Sequence, residues 1–200
     1  MALDEHRLQL DFRADVTAAG LRVSYTLLNR TGITIGVFNR IMTVAADGTR
    51  NFLPENVYVQ WENSQLHLRK IALPPPEGLE MTVRLLPHAT RLEANASERE
   101  EFVLALPVKV NHPYQRALLA GANPKAEIVA AEPRTTRDIV FSLGVFPCDQ
   151  PNLLQPVSAF PGVYSISNPG YADSHQLVIT RQVKLQTPIT VLDYRAIPRG

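Results

Sequence analysis

Five histidines, one cysteine and a thin set of aromatic residues are the side chains of this 200-residue chain best suited to chemistry. His6, His67, His88, His112 and His175 stand far apart. No two share the HExxH or HxH spacing that points a pair of imidazoles at one metal ion. A structural zinc site needs four Cys or His ligands at short spacings, and Cys148 is the lone cysteine. No metal ligand, no cofactor and no disulfide are therefore expected. Cys148 sits in "FPCDQP" beside Asp149, whose carboxylate disfavours a thiolate, so an inert thiol is expected. There is no GxSxG elbow, P-loop or GxGxxG. "SNPGYADSH" gathers Ser167, Asp173, Ser174 and His175 in an order that fits no hydrolytic triad. Its Asn, Pro, Gly and Asp content predicts a turn. Asp47 in "ADGT" also reads as a turn residue, with no EF-hand pattern after it. No catalytic residue is assigned.

The segment "VYVQWENSQLHLR" offers a different kind of chemistry. Strand alternation puts Val57, Val59 and Trp61 on one face and Tyr58 with Gln60 on the other. His67 falls on the face of Gln65 and Arg69, where it is expected to meet solvent. An exposed aromatic on a sheet can contact a sugar or a protein. Tyr58, Trp61 and His67 are the candidate ligand- or partner-binding residues.

These residues need strands to hold them. Period-2 patterning recurs in "RLQLDF", "LRVSYTL", "ITIGVF", "NVYVQW", "QLHLRKIAL", "MTVRLL" (81–86), "EFVLALPVKV" (101–110), "AEIVAA" (126–131), "DIVFSLGVF", "GVYSIS", "QLVITRQVKL" and "ITVLDY". The 16 prolines fall mostly between these runs. Pro107 lies inside one and predicts an edge position or a bulge. Helix is scarce. "PYQRALLAGA" (113–122) has Pro113 for a first turn and Gly121 as a stop. "NASEREEF" has Ser97 and Glu100 at capping-box spacing, which predicts about one helical turn before Phe102. "LPPPEG" reads as a stiff connection.

The expected fold is all-β: an antiparallel β-sandwich with additional C-terminal strands and at most one or two short helices. One domain over 1–200 is expected, with a core in 1–146 and a strand extension in 147–200. "VSYTLLNRTGITIGVF" resembles strand–turn–strand segments of bacterial immunoglobulin-like sandwiches, across about twenty residues. That resemblance implies a fold and selects no function.

With 45% hydrophobic and 20% charged residues and a net charge of +1, the composition is globular. Arg and Lys are scattered, so no nucleic-acid partner is expected. Glu93, Glu98, Glu100 and Glu101 form the densest acidic patch, expected to be a solvated turn or short helix. No run approaches the apolar length of a membrane span, and "MALDEHRLQLDF" lacks the apolar stretch of a secretory signal. A cytoplasmic location without membrane association is the expectation. The expected function is a non-enzymatic protein-interaction or structural module, its partner another protein or a second copy. The alternative is a carbohydrate- or small-ligand-binding protein or enzyme of jelly-roll type.

Overall fold

Alternation of apolar and polar residues builds two facing layers. The computed structural model describes residues 3–75, 86–114, 127–130 and 133–197. The smaller layer joins β1 (Leu8–Thr17), β2 (Gly20–Asn29) and β9 (Ser97–Leu104) in the order β1-β2-β9, all antiparallel. Leu8, Leu10 and Phe12 of β1 and Leu21, Val23, Tyr25 and Leu27 of β2 point inward and are buried. Their intervening neighbours Gln9, Asp11, Arg13 and Arg22 face solvent.

The larger layer is a forked sheet organised by β12 (Arg134–Pro147). β15 (Leu177–Leu192) lines one edge of it, antiparallel. The other edge is shared. β7 (Gln65–Lys70) pairs parallel with Ile139–Leu143, and β3 (Ile35–Arg40) pairs antiparallel with Val145–Pro147. β6 (Tyr58–Glu62) adds a hairpin to β7. From β3 the sheet continues through β8 (His88–Leu92), β14 (Tyr164–Ile166) and β13 (Leu154–Pro156). The short β10 (Val108–Lys109) runs parallel beside β15. The all-β expectation stands, with two parallel pairings in a sheet expected to be wholly antiparallel. Two smaller ribbons pair β4 (Thr43–Val44) with β5 (Arg50–Asn51) and β11 (Glu127–Ala130) with β16 (Tyr194–Ile197). Helix is confined, among the described residues, to a 3-10 turn at Glu5–Arg7 and the six-residue Pro169–Ser174.

One apolar core fills the space between the layers, drawing on residues from Leu8 to Val191. At its centre Phe141 of β12 stacks on Phe12 at 5.0 Å and leans on Tyr25 at 4.9 Å. Side chains of this size dominate core energetics, at roughly 3–5 kcal/mol each on truncation. A second cluster under β8 and the short helix holds Phe38, Phe146, Ala89 and Ala172. There Phe146 lies across Gly36, its cross-strand partner, in space that a Cβ would occupy.

The polar break Asn29–Gly32 carries the chain from one layer to the other. Asn29 is fully buried, and its amide donates to the carbonyls of Ile33 (2.8 Å), Leu92 (3.2 Å) and Glu93 (3.0 Å). Its Oδ1 accepts from the backbone and hydroxyl of Thr31, and Gly32 takes φ of 80°. A buried Asn can satisfy this many backbone groups at once, which fixes the crossing.

Four expectations need correction or placement. The helical turn expected at "NASEREEF" is instead the start of β9: Asn95 turns the chain at φ 63°, and Ser97 already pairs with Leu28. Pro107 lies between β9 and β10 instead of inside one strand. The helix expected over 113–122 and the strand over 81–86 lie largely outside the described residues. Among the described residues, no helix is long and apolar enough to cross a membrane.

Candidate functional site

The densest chemistry in the molecule lies between the layers. β9 alternates, so Glu98, Glu100 and Phe102 face inward while Arg99, Glu101 and Val103 face out. β7 alternates too, and Lys70 shares the inward face of Leu66 and Leu68. β3 contributes Asn39 and Arg40, where a register shift between Val37 and Arg40 breaks the pairing with β8. Such a bulge redirects side chains and lets consecutive residues reach one place.

These elements converge on Glu100. Its Oε2 accepts from the Tyr25 hydroxyl at 2.6 Å and from Lys70 Nζ at 2.7 Å. Its Oε1 accepts from Arg40 Nη1 at 2.7 Å and Asn39 Nδ2 at 3.4 Å. Glu98 Oε1 accepts from Arg40 Nη2 and from Asn39 Nδ2, each at 3.1 Å. Lys70 Nζ also donates to the Asn39 backbone carbonyl at 3.2 Å and lies 5.3 Å from the Phe102 ring centre. Two cations thus meet two carboxylates. The Lys70 and Glu100 side chains are 0% and 4% exposed, while Arg40 and Glu98 are 21% and 18% exposed and reach the rim.

Burial sets the electrostatics. It pulls the Lys70 ammonium below its ordinary pKa, opposed by Glu100 beside it. It raises Glu98 above the usual carboxylate range, opposed by Arg40. It pushes the Tyr25 phenol far up, and the neighbouring charge of Glu100 adds to that. One buried polar atom of the cluster, Asn39 Oδ1, has no hydrogen-bond partner.

The acidic patch expected to be solvated therefore splits. Glu93 and Glu101 stay at the surface, while Glu98 and Glu100 turn inward to the cations. The signal was in the alternation Glu98-Arg99-Glu100-Glu101-Phe102, which places two carboxylates in phase with a core phenylalanine.

Tyr58, Trp61 and His67 lie in the β6–β7 hairpin, where Gln60 opposes His67 and Tyr58 opposes Arg69. His67, Arg69, Gln60 and Tyr58 share the outward face of the larger sheet. Tyr58 is not exposed: it is 8% accessible and packs with Ile41, Ile71, Leu73 and Tyr114. Burial pushes its phenol up to about 12. Trp61 is on the opposite face, packed against the core, with the Arg134 guanidinium 5.5 Å from its ring. The structure thus separates Trp61 from the other two. His67 is half-buried. Arg69 Nη2 approaches its Nδ1 at 3.3 Å, while its Nε2 is buried with no partner, as is the Tyr114 hydroxyl. Burial and Arg69 lower the pKa of His67, and the same two causes lower that of His112.

A third feature stands outside the layers. Residues 41–56 hold the β4–β5 hairpin, closed by the Ala45 amide donating to the Thr49 carbonyl and the Gly48 amide donating to the Ala45 carbonyl, with Gly48 at φ 85°. The Asn56 amide secures its base, donating to the Ile41 carbonyl (3.0 Å), Thr43 Oγ1 (3.2 Å) and Asn51 Oδ1 (2.9 Å). Met42, Val44 and Leu53 stand exposed on it, with Val44 at 60%.

The remaining reactive groups are committed locally. Burial pushes the Cys148 thiol up to about 12. Ser174 Oγ donates to the Tyr171 carbonyl and touches His175 Nδ1 at 3.0 Å, at the end of the short helix. Among the described residues, no three His, Cys, Asp or Glu side chains gather closely enough to hold a metal ion. The chain matches no protein-family model, no curated protein and no solved structure.

Proposed function

We propose that this chain is a non-enzymatic protein-interaction module on an immunoglobulin-like β-sandwich. It engages a protein partner, or a second copy, through the hairpin at 41–56. The observation that carries this reading is the distribution of exposed apolar groups. Of the six large ones among the described residues, three, Met42, Val44 and Leu53, fall within residues 41–56. Scattered single apolar residues need no explanation, whereas three within one braced hairpin favour contact. Burying each against a partner would contribute about 1.5–3 kcal/mol. The hydrogen bonds of Asn56 hold the base before contact, which lowers the ordering cost of binding. The resemblance of residues 23–38 to immunoglobulin-like segments supports the sandwich reading.

A photo-crosslinking amino acid at Val44 tests the proposal. The expected result is one discrete adduct, with a second copy in purified protein or with one protein in cells. A probe that captures nothing, on a chain that stays monomeric at high concentration, would overturn it.

A second reading is favoured by His67 Nε2, buried without a partner beside Arg69, and by the Tyr114 hydroxyl, buried without a partner in the cluster that holds Tyr58. They support a small polar ligand, such as a sugar or a carboxylate, on the outward face of β6 and β7. Titrating sugars and carboxylates while following His67 by NMR tests this reading. Shifts at His67 support it, and their absence across both series removes it.

A further inference from the structure

We propose that Lys70 and Asn39 become joined by an amide bond that the folded chain forms by itself, with Glu100 and Glu98 moving the protons. A nucleophile, an electrophile and two proton carriers meet in this one cluster. Lys70 Nζ is fully enclosed, and desolvation favours the neutral, nucleophilic amine. It already touches the main chain of Asn39 at 3.2 Å. Glu100 bridges the two groups, with Oε2 on Lys70 Nζ and Oε1 on Asn39 Nδ2. Glu98 holds Asn39 Nδ2 from its other side at 3.1 Å. The bulge in β3 turns Asn39 inward, where it is 1% exposed.

The unpartnered Oδ1 of Asn39 separates this cluster from a plain set of ion pairs. A buried amide oxygen without a donor is costly in a resting structure. It is also the atom that gains negative charge when an amine adds to Cγ. A carboxyl carrying the proton taken from Lys70 would supply a donor as charge develops there, and burial favours the protonated form of Glu98.

The step balances without any co-reactant. The bond from Lys70 Nζ to Asn39 Cγ forms, and the bond from Asn39 Cγ to Nδ2 breaks. The Lys70 ammonium sheds two protons as it becomes an amide nitrogen. Glu100 takes the first, and a carboxyl of the pair returns one to Nδ2, which leaves as ammonia. The second departs with it as ammonium on reaching water. No atom is oxidised or reduced. Arg40 and Glu98, each about one-fifth exposed, mark the way out to solvent. Holding the reacting groups in one enclosed site replaces an encounter in solution.

The test is the intact mass of the full chain, purified folded and measured denatured. The expected mass is that of the sequence less one ammonia, with a branched peptide joining Lys70 to Asn39 in the digest. Lys70→Met, Asn39→Ala and Glu100→Gln should each restore the full mass. Asn39→Asp should lose one water in place of ammonia. A wild-type chain that keeps its full mass after prolonged incubation in the folded state overturns the proposal, as does an ammonia loss that maps elsewhere. The wild-type measurement decides the matter even where a variant fails to fold.

Discussion

Replacing Glu100 by Gln keeps the side chain's shape and removes its charge. In the folded protein this carboxylate receives Tyr25, Lys70 and Arg40 at 2.6–2.7 Å. Arg40 retains Glu98, but Lys70, with no exposed surface, keeps no anionic partner within contact. Removing one member of a buried ion pair costs about 3–5 kcal/mol, because the charge left behind is neither hydrated nor neutralised. Domains are stable by only about 5–15 kcal/mol, so the loss is a large share of the total. With a urea slope of about 2–3 kcal/mol/M, the unfolding midpoint should fall by about 1–2 M from that of the chain in which Lys70 and Asn39 are not yet joined. Combining Lys70→Met with Glu100→Gln removes the stranded ammonium and should recover part of the loss. Glu100→Gln lacks the proton carrier and the double variant lacks the lysine as well, so neither forms the Lys70–Asn39 amide and their difference isolates the stranded charge. Urea titration followed by Trp61 fluorescence measures both. A double variant no more stable than Glu100→Gln alone would refute the reasoning.

Other outcomes follow from the same structure. His67, His88 and His112 all have pKa values held below the ordinary 6.5 by burial, so their NMR titration midpoints should lie under that value. As pH falls below 6.5 the unfolded chain takes up these protons first, so native stability should drop between about pH 7 and 5. Histidine midpoints at or above 6.5 would contradict this. Cys148, with its thiol pushed up to about 12, should react with a disulfide reagent far more slowly in the native state than in urea; equal rates would contradict its burial. Gly36→Ala should cost about 1–3 kcal/mol by driving Phe146 off its site, read as a lower melting temperature; an unchanged value would show that the ring moves freely.

Much of the fold was legible in the sequence because burial in a two-layer protein follows a period of two. Leu21-Val23-Tyr25-Leu27 predicts β2 residue by residue, and the inward face is the expected one. The departures have physical causes. "NASEREEF" satisfies the local spacing of a helix cap, but ladder bonds to β2 and cations inside the core outweigh about one turn of helix. The charge cluster was less legible, because ion pairing between strands tens of residues apart leaves no local motif. Its parts were in phase all the same: Lys70 with Leu66 and Leu68, and Glu98 and Glu100 with Phe102. Tyr58 follows the alternation correctly yet is buried, because Tyr114 and Ile71 cover it from outside the hairpin. The exposed hairpin was hidden for a simpler reason. Its strands are two residues long, too short for periodicity to register.

The role assigned to the hairpin is best decided by a paired binding measurement. Val44→Glu is compared with Val178→Glu, which places the same charge on another exposed apolar residue of β15. Neither change should move the melting temperature. Affinity for the protein captured at Val44, or for a second copy, should fall at least about tenfold in Val44→Glu, equivalent to about 1.4 kcal/mol. It should stay unchanged in Val178→Glu. Equal affinities for both variants, or a loss confined to Val178→Glu, would contradict the assignment.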